Sequence, residues 1–192
     1  MKVPMFPLNT VLFPGGPLPL RIFESRYIDM ISERMKADAP FGVVLIKDGQ
    51  EAGPSSTFET GTLARITDWY QGSDGLLGVT AIGEQRFRLL ASERQPDGLN
   101  VGEIELLPDE AAIELPAQYQ FLTEILGAVM DDLGKLYEPL ERDMQSATWL
   151  GYRFMEVLPI DLEQKQESLE SNDTLARLDI ISKLIKTARS SK

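Results

Sequence analysis

Two periodicities divide the chain. Up to about residue 110 the apolar positions come in short runs or alternate with polar ones; beyond that point they recur at helical intervals. Phe41 to Ile46 is an unbroken apolar run, the pattern of a strand covered on both faces. Thr60 to Trp69 alternates, with Leu63, Arg65 and Thr67 opposed to Ala64, Ile66 and Asp68. Leu76 to Leu90 predicts one long strand or two short ones, with Gly83 at a bulge or bend. Asn100 to Leu107 places Val101, Glu103, Glu105 and Leu107 on one face and Gly102, Ile104 and Leu106 on the other. The pairs Asp48-Gly49, Asp74-Gly75 and Asp97-Gly98 each fall between apolar segments, which is where hairpin turns form. One helix interrupts the strands: from Glu24 to Lys36, Tyr27, Ile28, Met30, Ile31 and Met35 fall at helical spacing.

Past residue 110, Leu122, Ile125, Leu126, Val129 and Leu133 predict an amphipathic helix beginning after Pro116. A second helix is expected over Asp143 to Val157, stopped by Pro159. A turn and a short helix fill Ile160 to Glu170. The last helix starts with Asn172 or Asp173 as its cap and carries Leu175, Leu178, Ile180, Ile181, Leu184 and Ile185. Lys183, Lys186, Arg189 and Lys192 gather toward its end, where the helix dipole favours cations. The expected class is therefore α+β: a β-rich lobe over residues 1–112 and a helical lobe over 113–192.

Charge narrows the list of partners. The chain carries 19 basic and 30 acidic residues, net −11. Residues 1–108 hold 14 acidic and 10 basic side chains, and the remainder holds 16 and 9. No Lys/Arg cluster is present to attract a phosphate backbone or an anionic lipid surface, so neither nucleic acid nor membrane is an expected partner. Pro4 and Pro7 break any secretory apolar segment, and no apolar run approaches the ~20 residues of a membrane span. The cytoplasm is the expected compartment.

Composition also removes chemistry. There is no histidine and no cysteine in 192 residues, which excludes an imidazole base, a thiolate nucleophile, a disulfide and a Cys/His zinc site. Carboxylate pairs are what remains for acid–base work. Glu103 with Glu105, and Asp131 with Asp132, read as solvated faces and not as a cleft with one raised pKa. The Asp-Gly pairs lack calcium-loop spacing, and Gly72 to Gly78 is a glycine-rich turn without a following lysine. No G-x-S-x-G or S-x-x-K motif occurs. No catalytic residue, cofactor or metal is expected.

Pro14-Gly15-Gly16-Pro17 reads as a turn, because Val11, Leu12, Phe13, Leu18, Leu20 and Ile22 around it are too apolar to stay in water. Arg21, Glu24 and Arg26 are expected to form structural ion pairs around the first helix. Trp69-Tyr70 is the main candidate for binding. Adjacent strand residues point to opposite faces, so at most one is expected in the core. The other is either an exposed anchor of the kind that dominates interfaces or a ring lying flat on the barrel.

The opening phrase, Met5-Phe6-Pro7-Leu8 through Val11-Leu12-Phe13-Pro14-Gly15 to Leu18-Pro19-Leu20, Ile22-Phe23-Glu24 and Arg26-Tyr27, resembles the start of the Lon protease N-terminal, substrate-binding domain. So does the far run, Leu158-Pro159, Lys165-Gln166, Leu169-Glu170, Asp173 and Arg177-Leu178. One departure is Ser25, where many members have proline; a serine cap is compatible with a helix there. The resemblance implies a PUA-like pseudo-barrel with one inserted helix, then a helical lobe. It implies membership of the peptidase S16 (Lon) group by descent, while no G-x-x-x-x-G-K-[ST] loop occurs to cradle ATP phosphates. The chain resembles the stand-alone members, which hold the recognition domain without proteolytic machinery. The expected function is non-catalytic binding of a polypeptide client or partner protein, on the β lobe or between the lobes, with Trp69 and Tyr70 as the contact surface. A homodimer is compatible with this. The rivals are an RNA-binding PUA-like protein, which the acidic balance disfavours, and a carboxylate-dependent hydrolase.

Overall fold

The structure, a computed structural model, describes residues 1–51 and 55–190. The chain falls into two compact units, Met1–Asp109 and Glu110–Lys192.

The first unit contains β1 (Lys2–Leu8), β2 (Pro17–Ile22), helix α1 (Ser25–Ala37), β3 (Phe41–Gly49), β4 (Ser55–Gln71), β5 (Leu77–Arg94) and β6 (Asn100–Leu106). The strand order β2-β5-β4-β3-β1-β6 returns on itself because β5 also pairs with β6, so five strands close a barrel and β2 lies outside the ring. All neighbours are antiparallel except β1 and β3, whose connection passes through β2 and α1.

Gly83 marks where β5 changes partners. Before it, residues 77–82 pair with β2; after it, from Phe87, they pair with β6. The backbone of the Phe13–Gly16 turn crosses there, with Gly15 N–H donating to Gly83 O at 2.7 Å and Gly83 N–H donating to Gly16 O at 2.9 Å. A Cβ on Gly83 falls 2.2 Å from the Phe13 carbonyl oxygen, so only glycine permits the crossing. The expected irregularity at Gly83 is thus a close backbone approach, with a register shift in β4 opposite it between Thr62 and Ala64.

Strand alternation splits the apolar residues between two cores. Val3, Met5, Val44, Leu63, Phe87 and Ile104 fill one. Phe6, Leu8, Leu20, Val43, Val79 and Ala81 join Tyr27, Met30 and Ile31 of α1 in the other. Successive residues of β1 and β3 enter different cores, which is why Phe41 to Ile46 reads as continuously apolar. The Phe6 and Tyr27 rings stack at 4.0 Å.

Helix α1 begins differently from expectation. Ser25 is its first helical residue, Glu24 occupies the cap position, and no side chain caps the helix. The Glu24 carboxylate instead accepts from Arg26 Nε at 2.9 Å. Arg26 also donates to Gly98 O at 2.6 Å and lies over the Tyr27 ring. Arg21 leaves that trio and pairs with Asp74.

The second unit holds a 3-10 turn (Ala117–Tyr119), α2 (Phe121–Leu133), α3 (Ala147–Val157), α4 (Leu162–Glu170) and α5 (Thr174–Ser190). Helix α3 packs against α2, α4 and α5. Leu122, Leu126, Leu150, Leu178 and Ile181 are fully buried. Helix α3 starts four residues later than its apolar spacing suggests. The Gln145 carbonyl accepts from Leu115 N–H at 2.7 Å and Ser146 bridges to Glu114, so this backbone is spent on pairing. Ser146 then caps α3, accepting from Trp149 N–H at 3.2 Å. Asp161 and Gln164 form a capping box on α4, and Asp173 caps α5 by accepting from Ala176 N–H at 2.9 Å.

Candidate functional site

Strand β4 outruns its neighbour β3. Their pairing ends at Phe41 opposite Ala64, so residues 65–71 have a strand on one side only, β5. The hairpin closes through Gly75 N–H donating to Gly72 O at 2.9 Å, with Gly75 at φ 81°, a conformation glycine adopts without strain. The projecting end carries Trp69 and Tyr70, 57% and 54% exposed. Neither ring enters the core. The strand does alternate, but its end lies beyond the core that alternation would otherwise fill.

The two rings have different surroundings. Tyr70 lies flat over Gly78, its cross-strand partner, where an added Cβ meets the ring at 2.3 Å. On the far side of Gly78 in the same row stands Arg21, ion-paired with Asp74. Trp69 lines a hollow of about 280 Å³ with the end of α1, where Met35 is exposed and Arg34 Nε is buried with no hydrogen-bond partner among the described residues. That helix end is fixed by Asp38, in left-handed conformation at φ 45°. Asp38 accepts from Arg65 Nη1 through both its carbonyl and its carboxylate at 2.9 Å, and Arg65 also pairs with Glu84. Asp68 Oδ1 accepts from the Trp69 N–H at 2.8 Å, which blunts the free edge of β4 against addition of another strand. What this strand end presents to solvent is therefore side chains: two aromatic surfaces and a hollow bordered by arginines and aspartates.

The carboxylates singled out in the sequence are solvated: Glu103, Glu105 and Asp132 are exposed, and Asp131 pairs on the surface with Arg142. The buried ones, Glu110 and Glu156, lie in the helical unit, and no local pattern distinguished them. Glu110 accepts from Arg177 at 2.9 and 3.0 Å, from Tyr152 Oη at 2.6 Å and from Thr174 Oγ1. Burial pushes its pKa upward, but hydrogen bonds from Arg177, Thr174 and Tyr152 more than reverse this and hold it below the ordinary value. Glu156 behaves oppositely. Burial raises its pKa to about 7, against the opposing Arg153 charge and hydrogen bonds from Tyr137 and Arg153 at 3.0 and 2.6 Å. Lys165, whose pKa is lowered by burial, donates to the Glu156 carbonyl at 2.8 Å. Both acids are locked into side chains of their own unit. Among the described residues no group of three or more acidic side chains is placed to hold a metal ion.

A closed barrel with an inserted helix and a projecting aromatic hairpin, together with a helical unit, defines an α+β module. The ATP-dependent protease La (LON) substrate-binding domain matches residues 2–187, and the chain belongs to that family. Lon protease 2 of Myxococcus xanthus is 26% identical over 97% of this chain and 24% of its own length. Protein cereblon of Xenopus tropicalis is 30% identical over 56% of this chain and 24% of its own. The chain thus spans about a quarter of these relatives. Among solved structures, the Lon N-terminal domain protein from Xanthomonas campestris superposes with a TM-score of 0.75 at 32% identity, covering 94% of this chain and 96% of that one. The N-terminal domain of a Mycobacterium avium complex Lon protease shares the fold at TM-score 0.61 and 16% identity.

Proposed function

We propose that the chain is a non-catalytic polypeptide-binding module acting in the cytoplasm, and that Trp69 and Tyr70 are its principal contacts with apolar side chains of the client. The observation that carries this is the joint exposure of two large aromatics on a strand end held by Gly78 and the end of α1. Membership of the substrate-binding domain family supports the same reading. Among the described residues no helix is long and apolar enough to cross a membrane. An aromatic anchor removed from an interface costs on the order of 1–2 kcal/mol, about tenfold in affinity.

The test is fluorescence anisotropy with a labelled, permanently unfolded protein such as carboxymethylated lactalbumin. Trp69→Ala/Tyr70→Ala is expected to bind about tenfold or more weakly with unchanged circular dichroism. Equal affinity of the variant and the parent overturns the assignment of these residues. Absence of any binding by the parent overturns the function itself.

A further inference from the structure

The helical unit has an apolar groove of its own, remote in kind from the aromatic hairpin. It measures about 280 Å³ and runs between α4 and α5. Its apolar surface comes from Met155, Ile160, Ala176, Ile180 and Leu184. Ile180 and Leu184 are 50% and 37% exposed, although they belong to the apolar spacing of α5. That spacing is wider than the unit's own core uses, since Leu178 and Ile181 alone in the stripe are fully buried.

On its α4 side the groove is flanked by acids. Along α4 the exposed acids Glu163, Glu167 and Glu170 fall on its outer side, and Glu167 lines the groove. Neither Glu163 nor Glu167 takes part in any ion pair formed among the described residues. Two of the nearby cations are already committed. Arg177 is spent on Glu110, Ser168 and Ser171, and Lys165 on the Glu156 carbonyl. Lys183 is the exposed base beside Ile180 and Leu184 on α5. The second half of the chain is acidic throughout, with 16 acidic and 9 basic residues over 109–192.

From this we infer that the α4–α5 groove is a second docking site, for a short amphipathic helix with an apolar stripe flanked by lysine or arginine. Ala176, Ile180 and Leu184 stand on successive turns over about 12 Å of helix. An incoming helix with apolar residues at i, i+4 and i+8 repeats that spacing. Its basic flank faces Glu163 and Glu167, which steer its approach and penalise acidic competitors. The site does not depend on the role of Trp69 and Tyr70.

The probes are two labelled peptides of about 14 residues with the same leucine stripe, one flanked by lysines and one by glutamates, titrated against the full chain by anisotropy. The lysine peptide is expected to bind at least tenfold more tightly, with affinity falling as salt is raised. Ile180→Ser/Leu184→Ser, at exposed positions, is expected to reduce binding tenfold or more with unchanged circular dichroism. Glu163→Lys/Glu167→Lys is expected to narrow or reverse the preference between the peptides. Trp69→Ala/Tyr70→Ala is expected to leave both affinities unchanged. Equal binding of the two peptides, or retention of affinity in the Ile180/Leu184 variant, overturns the proposal. So does loss of affinity in the Trp69/Tyr70 variant, which would place the peptide on the hairpin. Self-association seen by sedimentation and abolished by Ile180→Ser/Leu184→Ser also overturns it, in favour of a second copy of the chain as occupant.

Discussion

Removing Arg177 should cost the helical unit more than any surface change, for reasons that can be worked from its contacts. The side chains of Arg177 and Glu110 are 1% and 3% exposed. The guanidinium meets both carboxylate oxygens, and it also donates to Ser168 Oγ, Ser168 O and Ser171 O, each at 3.0 Å. It lies 4.5 Å from the Tyr152 ring centroid, and Tyr152 and Thr174 complete the shell around Glu110. One ion pair thereby ties α3, the end of α4 and the start of α5 together. In Arg177→Met the Glu110 carboxylate stays buried without its cation, and the carbonyls at the end of α4 lose their donor. Breaking one side of such a pair costs about 3–5 kcal/mol. Glu110→Gln leaves the arginine uncompensated and should cost a similar amount. The double variant Glu110→Gln/Arg177→Met leaves no orphaned charge, so its cost should fall short of the sum by about 2 kcal/mol or more.

The assay exploits the placement of the two tryptophans, Trp69 in the first unit and Trp149 in the second. In a Trp69→Phe background, Trp149 fluorescence during urea unfolding reports the helical unit alone. A single-variant cost under about 1 kcal/mol, or an additive double variant, would refute the view that this pair is buried and mutually dependent.

Four further outcomes follow from the same geometry. Glu110 has a lowered folded pKa, so its stabilising contribution is present above the unfolded value near 4.5 and disappears as pH falls through the lower folded one. Glu156 has a folded pKa raised to about 7, so its contribution is full below about 4.5 and is lost as pH rises through 7; urea titrations from pH 5 to 8 should show stability declining, and Glu156→Gln should flatten that decline. Gly83→Ala drives a Cβ to 2.2 Å from the Phe13 carbonyl oxygen and should destabilise the barrel unit by about 1–3 kcal/mol, read by thermal unfolding through Trp69. Gly78→Ala meets the Tyr70 ring, which can swing aside, so stability should change by under about 1 kcal/mol while affinity for unfolded protein weakens, as measured by anisotropy.

What the sequence disclosed, and what it withheld, follow one physical distinction. The hairpins at Asp74-Gly75 and Asp97-Gly98, the run from Phe41 to Ile46 and the spacing of Leu122 and Leu126 were legible because a strand or helix buries its own local pattern. Asp48-Gly49, by contrast, proves to be the paired end of β3 and not a turn. Barrel closure depends on β5 changing partners at Gly83, a contact with Phe13 seventy residues earlier in the chain that no window contains. The start of α3 was misplaced because Gln145 and Ser146 are claimed by backbone pairing with 114–115, and apolar spacing is blind to that competition. Trp69 and Tyr70 escape the burial rule for a similar reason: the rule assumes a core behind the strand, and β3 stops before their rows begin. Glu110 lies 67 positions from Arg177, so an acidic residue next to Asp109 between two apolar stretches gave no hint of a buried anchor. The converse case is Ile180 and Leu184, where the spacing predicted burial that the unit does not supply. An apolar stripe wider than its own core is a local signal that only becomes informative once the fold shows which part of it remains uncovered, and here the uncovered part faces the acidic side of α4.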